Sequence, residues 1–209
     1  MHRVNVLQLQ PSQIDTASKI AANAFMADPV FSYLTPDDPK LKFQALTWLM
    51  SRLIYYCMQY GHTYTTSDLK GIAVWLPPSG EFSSSLFQQL KLALQLELYK
   101  LPVKVGWKRL KRWRHVFQTI DRTQRQDMGK SSYWELGLMA VHPDSQGQGI
   151  GTQLLKPILD RTSDEGLPCY VVTATEPAVN FYQKNGFEVL RNQRLGDHAP
   201  LFWALKRDP

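Results

Sequence analysis

The sequence predicts an α/β (α+β) fold, a single domain over residues 1–209 built on a sheet with packed helices. Three observations carry this. From Ser132 onward the apolar patterning reads strand, helix, strand, helix, strand, strand, an order that belongs to a sheet covered by helices. Upstream, HTYTTSD and GIAVWLPP read as two strands around a turn from Ser67 to Gly71, with Pro77-Pro78 ending the second. Before and between these segments lie long stretches whose apolar residues recur at helical spacing.

The elements follow in order. Ile14, Ala17, Ala21, Ala24 and Phe25 place a first helix over residues 11–27, with Ser12 as N-cap and a stop near Asp28-Pro29, because proline disfavours helix in the residue before it. Leu41, Ala45, Trp48, Leu49, Leu53 and Tyr56 predict a second helix from Pro39 to Tyr60, closed by Gly61. Residues 83–126 are helical again, broken near Leu101-Pro102 and Gly106, and Trp107, Leu110, Trp113 and Phe117 give the final helix a single apolar stripe. SYWELGLMAV is a strand that Pro143 stops. Residues 151–163 are helical despite Pro157, which should bend the helix or lie in its first turns. LPCYVVTA is a buried strand, Glu176 to Asn185 a short helix capped by Gly186, and FEVL and APLFWALK the final strands.

Composition narrows the class. The chain is 44% hydrophobic and 20% charged, an ordinary globular balance. Cys57 and Cys169 stand in apolar surroundings without CxxC or histidine spacing, so neither a disulfide framework nor a metal site is expected, and reduced thiols favour the cytoplasm. No window approaches a membrane span or a signal peptide. Formal charge is 24 minus 18, or +6, and it is concentrated: nine Lys/Arg lie between Tyr99 and Arg125 against Asp121 alone. A solvated helix face is the plainest account of that cluster; attraction of an anionic ligand or of nucleic acid are the alternatives.

The stretch VHPDSQGQGIGTQLL carries the chemistry. A strand feeding a glycine-rich turn that opens a helix is an anion site, because the first helical amides lack intrahelical acceptors and the helix dipole adds about half a positive charge. A P-loop would need Lys before Ser or Thr, and this turn ends in Gly151-Thr152. A dinucleotide GxGxxG counted from Gly147 meets Thr152 at its last position. The third pattern, Gln/Arg-x-x-Gly-x-Gly/Ala, is met by Gln146-Gly147-Gln148-Gly149-Ile150-Gly151.

With LMAVHP before that hexapeptide and NFYQKNGFEVL about thirty residues later, the chain resembles the GNAT superfamily of acyl-CoA N-acyltransferases. KGIAVWLPP, YWELGLMAVHPDSQGQGIG, GLPCYVVTA and NFYQKNGFEV together resemble the puromycin acetyltransferase group within it, over most of the chain. The resemblance implies a mixed central sheet splayed in the middle, helices on both faces, extra helices around 83–126 and an acyl-CoA-binding core over 132–190. It implies acetyl-CoA as cosubstrate and no metal. The pantetheine arm would lie on the strand end Met139, Ala140 and Val141, and the pyrophosphate on the amides of Gln146, Gly147, Gln148, Gly149, Ile150, Gly151 and Thr152. Tyr182 matches the tyrosine that serves as general acid toward the thiolate; packing of its helix is the other account. Glu135, six residues before Val141, matches in spacing the strand glutamate used as base through water by some members, although an exposed strand-end glutamate would read the same and puromycin acetyltransferases have an aromatic residue there.

Val172 and Ala178 stand where many members carry Glu and Asn, and Asn180 could partly replace the latter. His142 and His198 are loose candidates for a base. The expected activity is acetyl transfer to a primary amine of a small molecule, with aminonucleosides as the resemblance's first suggestion. The alternatives are acetylation of a peptide or protein amine and a non-catalytic acyl-CoA-binding regulator. A membrane partner and nucleic acid are not expected, and a homodimer is left open.

Overall fold

The computed structural model describes residues 5–78, 97–196 and 199–209. Its frame is one seven-stranded sheet, ordered β1-β2-β3-β4-β5-β7-β6: β1 Val6–Gln8, β2 Thr63–Thr66, β3 Gly71–Leu76, β4 Trp134–Val141, β5 Cys169–Thr173, β6 Glu188–Arg194 and β7 Leu201–Arg207. All neighbours are antiparallel except β4 and β5. This mixed, open sheet with helices on both faces is the GNAT fold.

The helices are α1 Ile14–Ala24, α2 Pro29–Leu34, α3 Pro39–Cys57, α4 Leu101–Val105, α5 Leu110–Met128, α6 Ile150–Glu165 and α7 Glu176–Lys184. One face of the sheet is covered by α6 and α7, whose Ile150, Leu154, Leu155, Ile158, Val179 and Tyr182 join Ala73, Trp75, Trp134, Leu136 and Val171 in one core. The other is covered by α1 and α3, where Ala17, Ala21, Leu46, Met50 and Ile54 meet Ile72, Val74, Leu138 and Ala140. A third cluster fastens α5 over the β6–β7 end through Trp113, Val116, Leu195 and Phe202. The Trp113 indole donates to the Leu34 carbonyl at 2.7 Å, so α5 also holds α2.

A β-bulge divides β4. Val74 pairs with Leu138 and Trp75 with Leu136, leaving Gly137 without an opposite residue on β3. The alternation of side chains, counted along the sequence, therefore switches phase there. Trp134 and Leu136 point into the α6/α7 core, and two residues later Leu138 and Ala140 point into the α1/α3 core.

Several expectations change. The first helix is preceded by a 3-10 turn over Pro11–Gln13 in which the Gln13 side chain accepts from the Gln10 amide at 2.9 Å, so Ser12 is not the cap. Asp28-Pro29, expected only as a stop, also starts α2: the Asp28 carboxylate caps it by accepting from the Phe31 amide at 2.9 Å, and proline at the first helical position loses no bond. Leu101-Pro102 begins α4, with the proline in its first turn, and a break follows at Gly106; what immediately precedes residue 97 lies outside the described residues. That break turns Trp107 out of phase with α5 and leaves it exposed; within α5 Phe117 is also exposed, and the inward stripe runs through Leu110, Trp113 and Val116. Pro157 lies mid-helix in α6, not in its first turns. The helix expected from residue 83 lies outside the described residues up to residue 96.

Candidate active site

β4 and β5 run parallel and pair only at Trp134–Cys169, Glu135–Tyr170 and Leu136–Val171. Beyond that point β5 stays with β7 as far as Thr173–Trp203, while β4 stays with β3 as far as Val141–Gly71. The sheet opens between them. Residues 137–141 present the β5-facing side of their backbone to the gap, with no strand of the described residues bonded to it, and a neighbouring extended chain is what such an edge accepts.

Of the predicted cofactor-binding residues, Met139 and Val141 turn toward the α6/α7 core and Ala140 toward the α1/α3 core. At the end of β4 the chain makes a 3-10 turn, Pro143–Ser145, and then the glycine turn. Gln146, Gly147, Gln148 and Gly149 are exposed, and α6 begins at Ile150 with Gly149 as its N-cap. The first intrahelical bond at this end runs from the Gln153 amide to the Gly149 carbonyl at 3.2 Å. The amides of Ile150, Gly151 and Thr152 therefore have no intrahelical acceptor. Together with the helix dipole they suit a pyrophosphate.

The glycines serve different physical needs. Gly147 and Gly149 have φ of +76° and +79°, and a Cβ there would meet open space, so these two are demanded by backbone conformation. Gly151 is demanded by contact: its Cβ would stand 2.9 Å from two atoms of the Phe181 ring and 3.4 Å from Met139 Cε. The loop thus locks β4, α6 and α7 together at the mouth of the split. Gln146 also supports the turn, donating from Nε2 to the Val141 carbonyl at 3.2 Å, and Gln148 donates to the Asp144 carbonyl at 3.4 Å.

Tyr182 lies in the α6/α7 core, with its ring 5.2 Å from Phe181 and 5.5 Å from Phe187. Burial raises its phenol above the ordinary value, so it stays protonated through the neutral range. Asn180 is exposed nearby on α7. Val172 and Ala178, at the positions of the missing Glu and Asn, are absorbed in apolar packing.

Glu135 is on the opposite face. It is half-buried, beside Cys57 of α3 and Gln124 and Asp121 of α5, one strand pair before the apex of the split. Desolvation raises its carboxyl above 4.5, a hydrogen bond from Gln124 opposes the rise, and the Asp121 charge adds to it. Cys57, desolvated and facing Glu135, is pushed up to about 12 and stays a thiol. Tyr182 and Glu135 thus lie on opposite faces of the sheet. Sequence reasoning missed the polar surroundings of Glu135. Tyr170, hidden in the run LPCYVV, donates to Asp127 at 2.9 Å, and the buried Asp127 carboxylate is bridged by Arg191 at 2.5 Å. His142 accepts from the Asp144 amide at 3.3 Å within the turn, and His198 lies outside the described residues.

Residues 114–189 match the family model described as an acetyltransferase (GNAT) domain. That stretch, from α5 through the glycine turn, α6, β5 and α7 into the start of β6, is thus similar to an acyl-CoA-dependent acetyltransferase domain of the GNAT type. An uncharacterised N-acetyltransferase of Schizosaccharomyces pombe is 26% identical over 82% of this chain and 69% of its own length. A probable serine/threonine-protein kinase of Dictyostelium discoideum is 22% identical over 90% of this chain but only 21% of its own length, so the chain spans about a fifth of that relative. Among solved structures, a Corynebacterium glutamicum protein described as a histone acetyltransferase and related acetyltransferase superposes with a TM-score of 0.63 at 18% identity, covering 99% of this chain and 96% of that one. The Drosophila melanogaster polyamine N-acetyltransferase superposes with a TM-score of 0.64 at 11% identity, covering 99% of this chain and 100% of that one. At these identities the structural matches establish the fold. Among the described residues no group of His, Cys, Asp and Glu could hold a metal ion.

Proposed function

We propose that the protein transfers the acetyl group of acetyl-CoA to a primary amine of a small molecule by direct aminolysis. The observation that carries this reading is the split between β4 and β5, an unpaired strand edge leading into a turn lined with free amides. An arm bearing amides suits the edge over Met139, Ala140 and Val141, and a pyrophosphate suits the turn from Gln146 to Thr152, with Asn180 exposed on α7 as a further polar contact. Acetyl-CoA supplies an activated acyl carbon and a thiolate leaving group.

Glu135 takes a proton from the incoming ammonium through water, aided by a carboxyl whose proton affinity is raised above that of a solvated glutamate. Tyr182 holds its hydroxyl proton and gives it to sulfur as the C–S bond breaks and the N–C bond forms. The ammonium loses two protons in all: the first passes to Glu135, and the second, released once the N–C bond has formed, restores the tyrosine. The products are the acetamide and the free thiol.

A small acceptor is favoured over a protein chain by α5. This helix covers the β5/β7 end of the sheet on the face that holds Glu135, and it leaves less room for an extended peptide than an open trough would. The names of the structural relatives point both ways, to a polyamine and to histones. The deciding measurement is thiol release from acetyl-CoA across a panel of polyamines, arylalkylamines, aminonucleosides, lysine peptides and N-terminal peptides. Turnover with a small amine and none with peptides is expected. Turnover with peptides alone overturns the acceptor class, and no release with any amine despite coenzyme A binding overturns the enzymatic reading in favour of a regulator.

A further inference from the structure

The proposed reaction leaves the basic run before α5 unused. This segment comprises a 3-10 turn at Leu98–Lys100, α4, Gly106 and a second 3-10 turn at Trp107–Arg109. Its inner side is filled: Val105 is buried in the cluster that holds Trp113 and Phe202, and Leu101 and Leu110 pack against it. Its exposed apolar residues are Tyr99 and Val103, four residues apart, and Trp107 beyond the turn at Gly106, with relative exposures of 63%, 84% and 76%. A lysine follows each of them, at Lys100, Lys104 and Lys108, and Lys111 comes next. Lys100 is held by Glu97 at 2.9 Å and Arg109 by Asp37 at 2.9 Å, whereas Lys104, Lys108 and Lys111 make no ion pair among the described residues.

Because the inner side is already packed, the outer three are not core residues in waiting; they form an apolar ridge bordered by unpaired cations. We propose that this ridge docks on the surface of an anionic phospholipid bilayer, with Tyr99, Val103 and Trp107 entering the boundary between headgroups and acyl chains and Lys104, Lys108 and Lys111 on the lipid anions. The charge selects an anionic partner. Val103 selects lipid over nucleic acid, because an aliphatic side chain offers no stacking face to a base, and it is the most exposed of the three. Trp and Tyr favour the headgroup level, where a ring can be half apolar and half hydrated. No helix among the described residues is long and apolar enough to cross a membrane, so the contact is with one leaflet.

Each lysine at such a surface is worth about a fivefold gain in partitioning, so three together give on the order of a hundredfold. The test is co-sedimentation of the whole chain with vesicles of phosphatidylcholine alone and of phosphatidylcholine containing phosphatidylserine, at low and high salt. Binding is expected only to the anionic vesicles and only at low salt. The triple variant Lys104→Glu, Lys108→Glu, Lys111→Glu should abolish it, and Val103→Asp or Trp107→Ala should weaken it several-fold. Unfolding temperature should stay unchanged in all of these, because the side chains are exposed. A blue shift of emission on vesicle addition should disappear in Trp107→Phe. Absence of binding to anionic vesicles, equal binding to both vesicle types, or binding indifferent to Val103→Asp and Trp107→Ala would overturn the proposal. Retention on DNA without vesicle binding would reassign the ridge to a polyanion.

Discussion

Gly151 offers a test of whether the mouth of the split is held by packing or by backbone freedom. Gly151→Ala places a methyl 2.9 Å from two Phe181 ring atoms, closer than a Cβ can sit, so the ring must move. Overpacking of this kind costs about 1–3 kcal/mol. Replacing glycine by alanine in a helix returns about 1 kcal/mol, and Gly151 is the second residue of α6. The expected net is a loss of about 0–2 kcal/mol, and at about 2–4 °C per kcal/mol for a chain of this size the melting temperature should fall or at best stay level. In a Phe181→Leu background the obstructing ring atoms are gone, and the same alanine should then be neutral or stabilising. The coupling measured by this double-mutant cycle should be about 1–2 kcal/mol, within the range for residues in contact. Calorimetry or denaturant melts of the four proteins decide it. Equal effects of Gly151→Ala in the two backgrounds would refute the steric argument and return Gly151 to a role in ligand approach alone.

Two further outcomes follow from the assigned chemistry. Tyr182→Phe removes only the hydroxyl from a packed ring, so acetyl-CoA KM should stay within about twofold while kcat falls by about a hundredfold or more, the scale of general-acid loss; steady-state kinetics showing an unchanged kcat would remove the role. For Glu135 the folded carboxyl binds its proton more tightly than the unfolded one, so its contribution to stability is full below about 4.5 and is lost as pH rises through the raised folded value. Glu135→Gln should therefore unfold at a higher temperature than the parent at pH 8, with no such gain at pH 4, and should lack the acid limb of the pH–rate profile; a gain equal at both pH values would contradict the desolvation argument.

The sheet is largely legible in the sequence because every strand but β1 announces itself: β3 and β5 as continuous apolar runs, β4 through its length and the proline after it, whereas the three residues Val6–Gln8 are too short to show a pattern. The glycine turn is legible as an anion site, since free amides at a helix start depend on backbone alone. Contact between distant residues is not. Gly151 facing Phe181 looks in sequence like another loop glycine, and the two kinds of glycine separate only when α7 is folded against α6. The same holds for Tyr170, whose partner Asp127 is 43 residues before it and is itself bridged by Arg191, 21 residues after it. In the segment before α5, helical spacing runs on through Gly106, where the backbone in fact turns, and so assigns Trp107 to a core it does not enter. The missed α2 is of another kind: Asp28-Pro29 serves equally to end one helix and to cap the next.

The surplus residue at Gly137 separates two properties of β4 that a regular strand ties together: which side each residue faces, and how far the strand bends. Leu136 and Leu138 stand opposite the adjacent residues Trp75 and Val74, so excising Gly137 would leave every flanking side chain on its present face and simply complete the ladder. What would go is the added twist, and with it the impulse for β4 to leave β5 just past Leu136, the last residue the two strands share. A chain one residue shorter at this point would keep both cores, and Glu135 and Tyr182 on their own sides, and yet have no doorway between them. In the proposed reaction, entry of the cosubstrate would thus hang on a residue that contributes no side chain to either core, and a variant lacking Gly137 should fold as well and bind coenzyme A worse.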